Sequence, residues 1–128
     1  MNELNVCKIN YNLLSDSFLE ELHQNPDKLL LLRSEHQNPI GEMRAVFHRL
    51  MAVGITNPVI IAFDYAENQL EDLQIKAAAD FGALLLDGFG DAILLTNRGS
   101  AISAEQLTFV AYAILQAARV RMSRTEYI

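Results

Sequence analysis

The sequence predicts an α/β fold: a largely parallel sheet built from consecutive βα units, either a TIM-barrel-like fragment or a small open α/β sheet. Three observations predict it. Short β-rich runs alternate with helical patterns along the chain. Two apolar runs, "LLLLRSE" and "PVIIAFDY", are continuous rather than alternating, as in strands covered on both faces. Successive strands are spaced about 25 to 30 residues apart, which suits right-handed βαβ crossovers.

The first extended segment, "NVCKINYNL", sets Cys7, Ile9, Tyr11 and Leu13 on one face and Lys8, Asn10 and Asn12 on the other. That alternation predicts an edge or half-covered strand. Asp16 or Ser17 opens a short helix over "FLEELHQ", stopped by Asn25-Pro26. Leu29 to Glu35 form the next strand. Asn38 is a good N-cap, and Pro39 sits at the first helical position, where its missing N–H costs nothing. Ile40, Met43, Phe47, Leu50 and Met51 then recur at helical spacing until Gly54 ends the helix.

"PVIIAFDY" is a further buried strand. Asn68 starts the next helix, with Leu70, Leu73, Ala77 and Phe81 on its buried face and Gly82 as its stop. "ALLLDGFGDAILLTN" reads as two short strands around a Gly-rich turn. Ser103 and Gln106 make an S-x-x-Q capping box for the last helix, "LTFVAYAILQAARV". Phe109, Val110, Tyr112, Ala113, Ile114 and Leu115 leave that helix almost no polar face. A helix apolar all round must be covered all round, so it either lies deep or packs against something outside this chain. Beyond it, Thr125, Tyr127 and Ile128 favour extended structure and predict the start of a strand.

Composition narrows the function. The 128 residues are 51% hydrophobic and 20% charged, which describes one folded domain of residues 1–128 with a real core. A net charge of −6 argues against a nucleic-acid partner, which requires a basic stripe. No apolar run approaches the roughly 18 residues of a membrane span. "MNELNVCKIN" has neither the basic start nor the apolar middle of a signal peptide. The single cysteine, Cys7, forms no internal disulfide and belongs to no metal-ligand spacing. A cytoplasmic, reducing compartment is expected.

Three groups of residues invite a chemical reading. In "LLLDGFGD", Asp87 and Asp91 are expected at a strand's C-terminal end, where ligands bind in α/β sheets, and Gly88 and Gly90 permit close approach of a phosphate to the backbone. The same residues also suit a tight turn. Arg33, Glu35, His36 and Glu42 cluster near the end of the second strand, either as an acid–base or ligand group or as the solvated charges of a capped loop. Arg119, Arg121 and Arg124 suit carboxylates or phosphates on a neighbouring domain, or the negative end of their own helix. A phospho-acceptor receiver domain is excluded. The first strand ends in "NYNLLS" without an acidic pair, and no lysine follows Lys76.

Three stretches then carry a resemblance: "SEHQNPIGEMRA", "EDLQIKAAADFGALLLDGFGDAILLTN" and above all "ILQAARVRMSRTEYI". From roughly Leu29 to Ile128 the chain resembles the three-domain form of 4-hydroxy-3-methylbut-2-enyl diphosphate synthase, the iron–sulfur oxidoreductase of the methylerythritol phosphate route to isoprenoids. In that family a TIM barrel binds the cyclic diphosphate and a C-terminal domain carries a [4Fe–4S] cluster. The segment like "RTEYI" runs there into a Cys-Pro-x-Cys motif. The resemblance implies that this chain is the inserted middle domain, a fragment ending just before the iron–sulfur domain.

It further implies partners in the barrel and cluster domains of the same polypeptide, and ferredoxin or flavodoxin as electron donor to the parent. The parent would be bacterial and cytoplasmic, or of plastid origin. No catalytic, cofactor-binding or metal-ligating residue carries over, so the chain alone is expected to be inactive and to position domains. The alternative is a stand-alone phosphate- or metabolite-binding α/β domain using Asp87, Gly88, Gly90 and Asp91.

Overall fold

The computed structural model describes residues 6–126, with side chains as far as Arg119. It has the α/β architecture that the sequence predicts. The elements are β1 (Val6–Ile9), a 3-10 turn (Tyr11–Leu13), α1 (Asp16–Gln24), β2 (Leu29–Leu32), α2 (Pro39–Ala52), β3 (Val59–Tyr65), α3 (Leu70–Leu85), β4 (Ala92–Asn97) and α4 (Ala104–Glu126). The four strands make one open, all-parallel sheet in the order β1-β2-β3-β4. The chain divides into two compact units, residues 1–61 and 62–128.

In the first unit, Cys7, Leu30 and Val59 share one row of the sheet, and Ile9, Leu32 and Ile61 share another. Leu30, Leu32 and Ile61 are wholly buried. Leu29 and Leu31 point the other way and are only half-buried. The "LLLL" run is therefore less evenly covered than its continuous apolar character predicts. β1 is also shorter than expected. Asn10 Oδ1 accepts the Leu13 N–H at 3.2 Å, a local bond that competes with the ladder and turns the backbone before Tyr11.

α1 is capped by Ser15, whose hydroxyl accepts the Phe18 N–H at 3.2 Å. Asn38 caps α2 in the same way through the Gly41 N–H at 3.1 Å. The buried stripe of α2 is Met43, Val46, Phe47 and Leu50, at i, i+3, i+4 and i+7 spacing. Met51, expected on that stripe, is 63% exposed. Gly54 ends the helix with φ of 76°. Asn57, buried, donates to the carbonyls of Asn25 at 2.8 Å and Lys28 at 2.9 Å, and so fixes the loop between α1 and β2.

In the second unit, Phe63 packs edge-on against Phe81 of α3, ring centroids 4.9 Å apart. Leu73, Ala77, Phe81 and Leu84 are wholly buried along α3. The helix does not stop at Gly82 but runs through it to Leu85, so "ALLLDGFGDAILLTN" holds a helix end and one strand rather than two strands. Termination falls to Gly88, at φ of 84°. There the Gly88 N–H donates to the Leu85 carbonyl and the Phe89 N–H to the Leu84 carbonyl, each at 3.0 Å, a glycine-based helix stop.

The capping box of α4 forms as predicted. The Ser103 N–H donates to Gln106 Oε1 at 2.9 Å, and the Gln106 N–H to Ser103 Oγ at 3.1 Å. Val110 and Ala118 are buried, whereas Phe109 is 66% and Tyr112 61% exposed. α4 continues through Thr125, where extended structure was expected. No Gly or Pro interrupts residues 104–126, and the alanines, arginines, glutamines and glutamates there favour helix over the local extended preference of Thr125. Tyr127 and Ile128 lie outside the described residues.

Candidate functional site

Parallel strands deliver their loops to one edge, and the carboxyl ends of β1 and β2 frame a polar cleft of about 460 Å³. Lys8, Asn10, Arg33, Glu35, His36 and Glu42 line it, with Ile9 and Leu13 as its apolar wall. The residues singled out around the second strand therefore do come together. Glu42, in the first turn of α2, holds the rim in shape. Its carboxylate accepts the Tyr11 N–H at 3.0 Å and the Ser34 hydroxyl. Ser34 Oγ in turn accepts the His36 N–H at 3.1 Å, and His36 Nδ1 accepts the Asn38 N–H at 3.0 Å.

The Gly-rich stretch sits elsewhere. Asp87, Gly88, Gly90 and Asp91 lie between the end of α3 and the start of β4, not at a strand's C-terminal end. The turn therefore feeds the amino end of β4, away from the edge at which α/β sheets bind ligands. Phe89, between the two glycines, is buried and anchors the turn. Gly88, Gly90 and Asp91 share a cleft of about 230 Å³ with Leu85, Leu115, Ala118 and Arg119. Two groups separated in sequence, the turn and Arg119, thus meet. The side chains of Arg121 and Arg124 lie outside the described residues.

At the carboxyl ends of β3 and β4 the structure reveals a polar network that sequence reading missed. The Tyr65 hydroxyl donates to Asp80 Oδ2 at 2.7 Å, and the Thr96 hydroxyl donates to Asp64 Oδ1. Asn97 bridges the following loop, accepting the Glu67 N–H at 2.8 Å and donating to the Glu67 carbonyl at 3.0 Å. Burial first, then the hydrogen bond and charge of Asp80, push the Tyr65 phenol far above its ordinary range. Lys76 is raised chiefly by its 2.8 Å bond to Glu67. These partners lie 9 to 32 residues apart, beyond any local motif. Only the polar ends of otherwise apolar strands, "FDY" and "LLTN", signalled them.

On the second unit's surface, an apolar groove of about 350 Å³ runs between α3 and α4, floored by small residues including Ala78, Gly82, Ala113 and Ala117. Among the described residues no set of three or more His, Cys, Asp or Glu side chains is placed to hold a metal ion. A [4Fe–4S] cluster takes several cysteine thiolates, and this chain has one cysteine, so its residues do not fit a cluster. No described helix is long and apolar enough to cross a membrane.

These features define a small open parallel α/β unit with a polar cleft at the carboxyl ends of its first strands and a long helix whose aromatic face is exposed. Its relatives are more particular. Over 98% of its length the chain is 44% identical to a 4-hydroxy-3-methylbut-2-en-1-yl diphosphate synthase (flavodoxin) of Bacteroides thetaiotaomicron, of which it spans 20%. The synthase of the same name from Phocaeicola vulgatus is 42% identical over the whole chain, which spans 21% of it. A chloroplastic, ferredoxin-type synthase of rice, Oryza sativa, is 37% identical over 73% of the chain and 13% of that protein. No protein-family model and no solved structure matches. The chain belongs with these synthases as the counterpart of one segment, about a fifth of the length of the bacterial proteins. The likeness extends beyond Leu29–Ile128, where the sequence resemblance was seen, to nearly the full chain.

Proposed function

We propose that this chain is a non-catalytic, domain-positioning segment of a 4-hydroxy-3-methylbut-2-en-1-yl diphosphate synthase. The parent reductively converts 2-C-methyl-D-erythritol 2,4-cyclodiphosphate in isoprenoid biosynthesis. One observation carries the reading: identity of 42 to 44% along essentially the whole chain, confined to about a fifth of each bacterial synthase. The relatives' names supply the electron donors, flavodoxin in bacteria and ferredoxin in the plastid. The partners within the polypeptide are the barrel and iron–sulfur domains, and the bacterial parent works in the cytoplasm. The exposed Phe109, Tyr112 and Arg119 are the surfaces on offer. Chemistry shared between two domains needs placement to about an ångström, and an insert between them can supply it.

The test is made in the full-length synthase, by replacing Arg119, Arg121 and Arg124 with alanine singly and together. Turnover is expected to fall about tenfold or more in the triple variant, since a misplacement of about 1 Å can cost about a hundredfold, with the cluster's absorbance unchanged. Normal turnover and stability in all variants would sink the arginine contact. The alternative, a phosphate- or metabolite-binding domain using Asp87, Gly88, Gly90 and Asp91, is less favoured, because that turn follows a helix rather than a strand.

A further inference from the structure

We propose that the cleft at the carboxyl ends of β1 and β2 binds a small organic anion, a carboxylate or phosphate monoester with a short apolar body. This site stands apart from the domain-positioning reading and from the Gly-rich turn. Three observations carry it. The cleft measures about 460 Å³, within the range of small-molecule sites and more than a bare oxyanion needs. It lies where parallel α/β sheets receive ligands, outside the carboxyl ends of their strands. Its walls set two cationic side chains and several hydrogen-bond donors, along with two carboxylates, beside an apolar face.

The chemistry of those walls can be worked out group by group. Lys8 and Arg33 supply positive charge. His36 Nδ1 is committed as acceptor to the Asn38 N–H, so the neutral imidazole carries its proton on Nε2 and offers a further donor. Asn10 uses its carbonyl oxygen on the Leu13 N–H, which reserves its amide NH₂ for donation. Of the two acids, Glu42 already accepts two hydrogen bonds, and Glu35 stays exposed at the rim. Ile9 and Leu13 provide the apolar wall. The chain's net charge of −6 opposes an anion at long range. At physiological salt, however, charges beyond about 8 Å are largely screened, so the placement of Lys8 and Arg33 against Glu35 and Glu42 decides.

The 128-residue chain, labelled with ¹⁵N, would be titrated at constant ionic strength with sodium glycerol 3-phosphate and, separately, with sodium 3-hydroxybutyrate. Inorganic phosphate serves as the headgroup-only probe. Saturable shifts confined to the amides of residues 8–13 and 33–42 are expected for at least one organic anion, and the anion that binds identifies the headgroup. Inorganic phosphate should bind more weakly. Lys8→Met and His36→Phe should each weaken binding about fivefold or more, the loss of one charge-assisted or neutral hydrogen bond. Lys8 is exposed, so Lys8→Met keeps the test readable even where His36→Phe disturbs its loop. Shifts that rise linearly, spread over the surface, or persist unchanged in Lys8→Met would overturn the site.

Discussion

Tyr65 shows how far one residue's chemistry depends on partners distant in sequence. Its hydroxyl is half-buried and donates to Asp80 at 2.7 Å. Burial, then the bond and charge of Asp80, disfavour the phenolate and raise the folded-state pKa. The unfolded tyrosine ionises near its ordinary value of about 10. A raised folded pKa contributes stability that is fully present below the unfolded pKa and is lost as pH rises through the folded one. The difference in unfolding free energy between the natural chain and Tyr65→Phe should therefore stay constant from about pH 7 to 9 and shift against the natural chain above about pH 10. Urea denaturation at stepped pH would measure it, and a difference flat through pH 11 would contradict the assignment. Nothing in "FDYAEN" predicts Asp80, fifteen residues away. Asn57 was equally silent: its value lies in the carbonyls of Asn25 and Lys28, which only the folded loop brings to it.

At the scale of elements, what was legible in the sequence was whatever local chemistry decides. Ser103 and Gln106, or Asn38 and Pro39, fix a helix start within four residues, and both starts form as read. Endings depend on competition over a longer range. Gly82 resembles a stop, yet α3 buries Leu84 and Leu85 beyond it, and that burial outweighs the roughly 1 kcal/mol cost of a mid-helix glycine. The polar cleft followed the same division: Arg33, Glu35, His36 and Glu42 are near neighbours in sequence, whereas Lys8 and Asn10 join them only because β1 pairs with β2. The two glycines make a paired prediction. A Cβ at either would meet nothing within 4 Å, but Gly88 has φ of 84°. Gly82→Ala should stabilise the chain by about 0.5–1 kcal/mol, while Gly88→Ala should cost about 1 kcal/mol or more. Equal effects of the two in thermal denaturation would mean that α3 does not run through Gly82.

For the whole molecule, the described strands run in the order β1-β2-β3-β4 without reversal, so their following loops all emerge at one edge, as they do at the carboxyl face of a β/α barrel. The face of α4 bearing Phe109 and Tyr112, 66% and 61% exposed, carries little of this chain's own stability, because exposed side chains bury little apolar area on folding. In the isolated chain, Phe109→Ser with Tyr112→Ser should change the unfolding free energy by no more than about 0.5 kcal/mol. In the full-length synthase the proposed positioning role expects the same pair to lower turnover and the melting temperature, since rings packed on a neighbouring domain would bury apolar area worth about 25 cal/mol per Å². The two contexts separate the explanations. A loss in both would make α4 a core element of this chain alone. A loss in neither would leave its apolar face without a domain partner and would remove the physical ground for a positioning role.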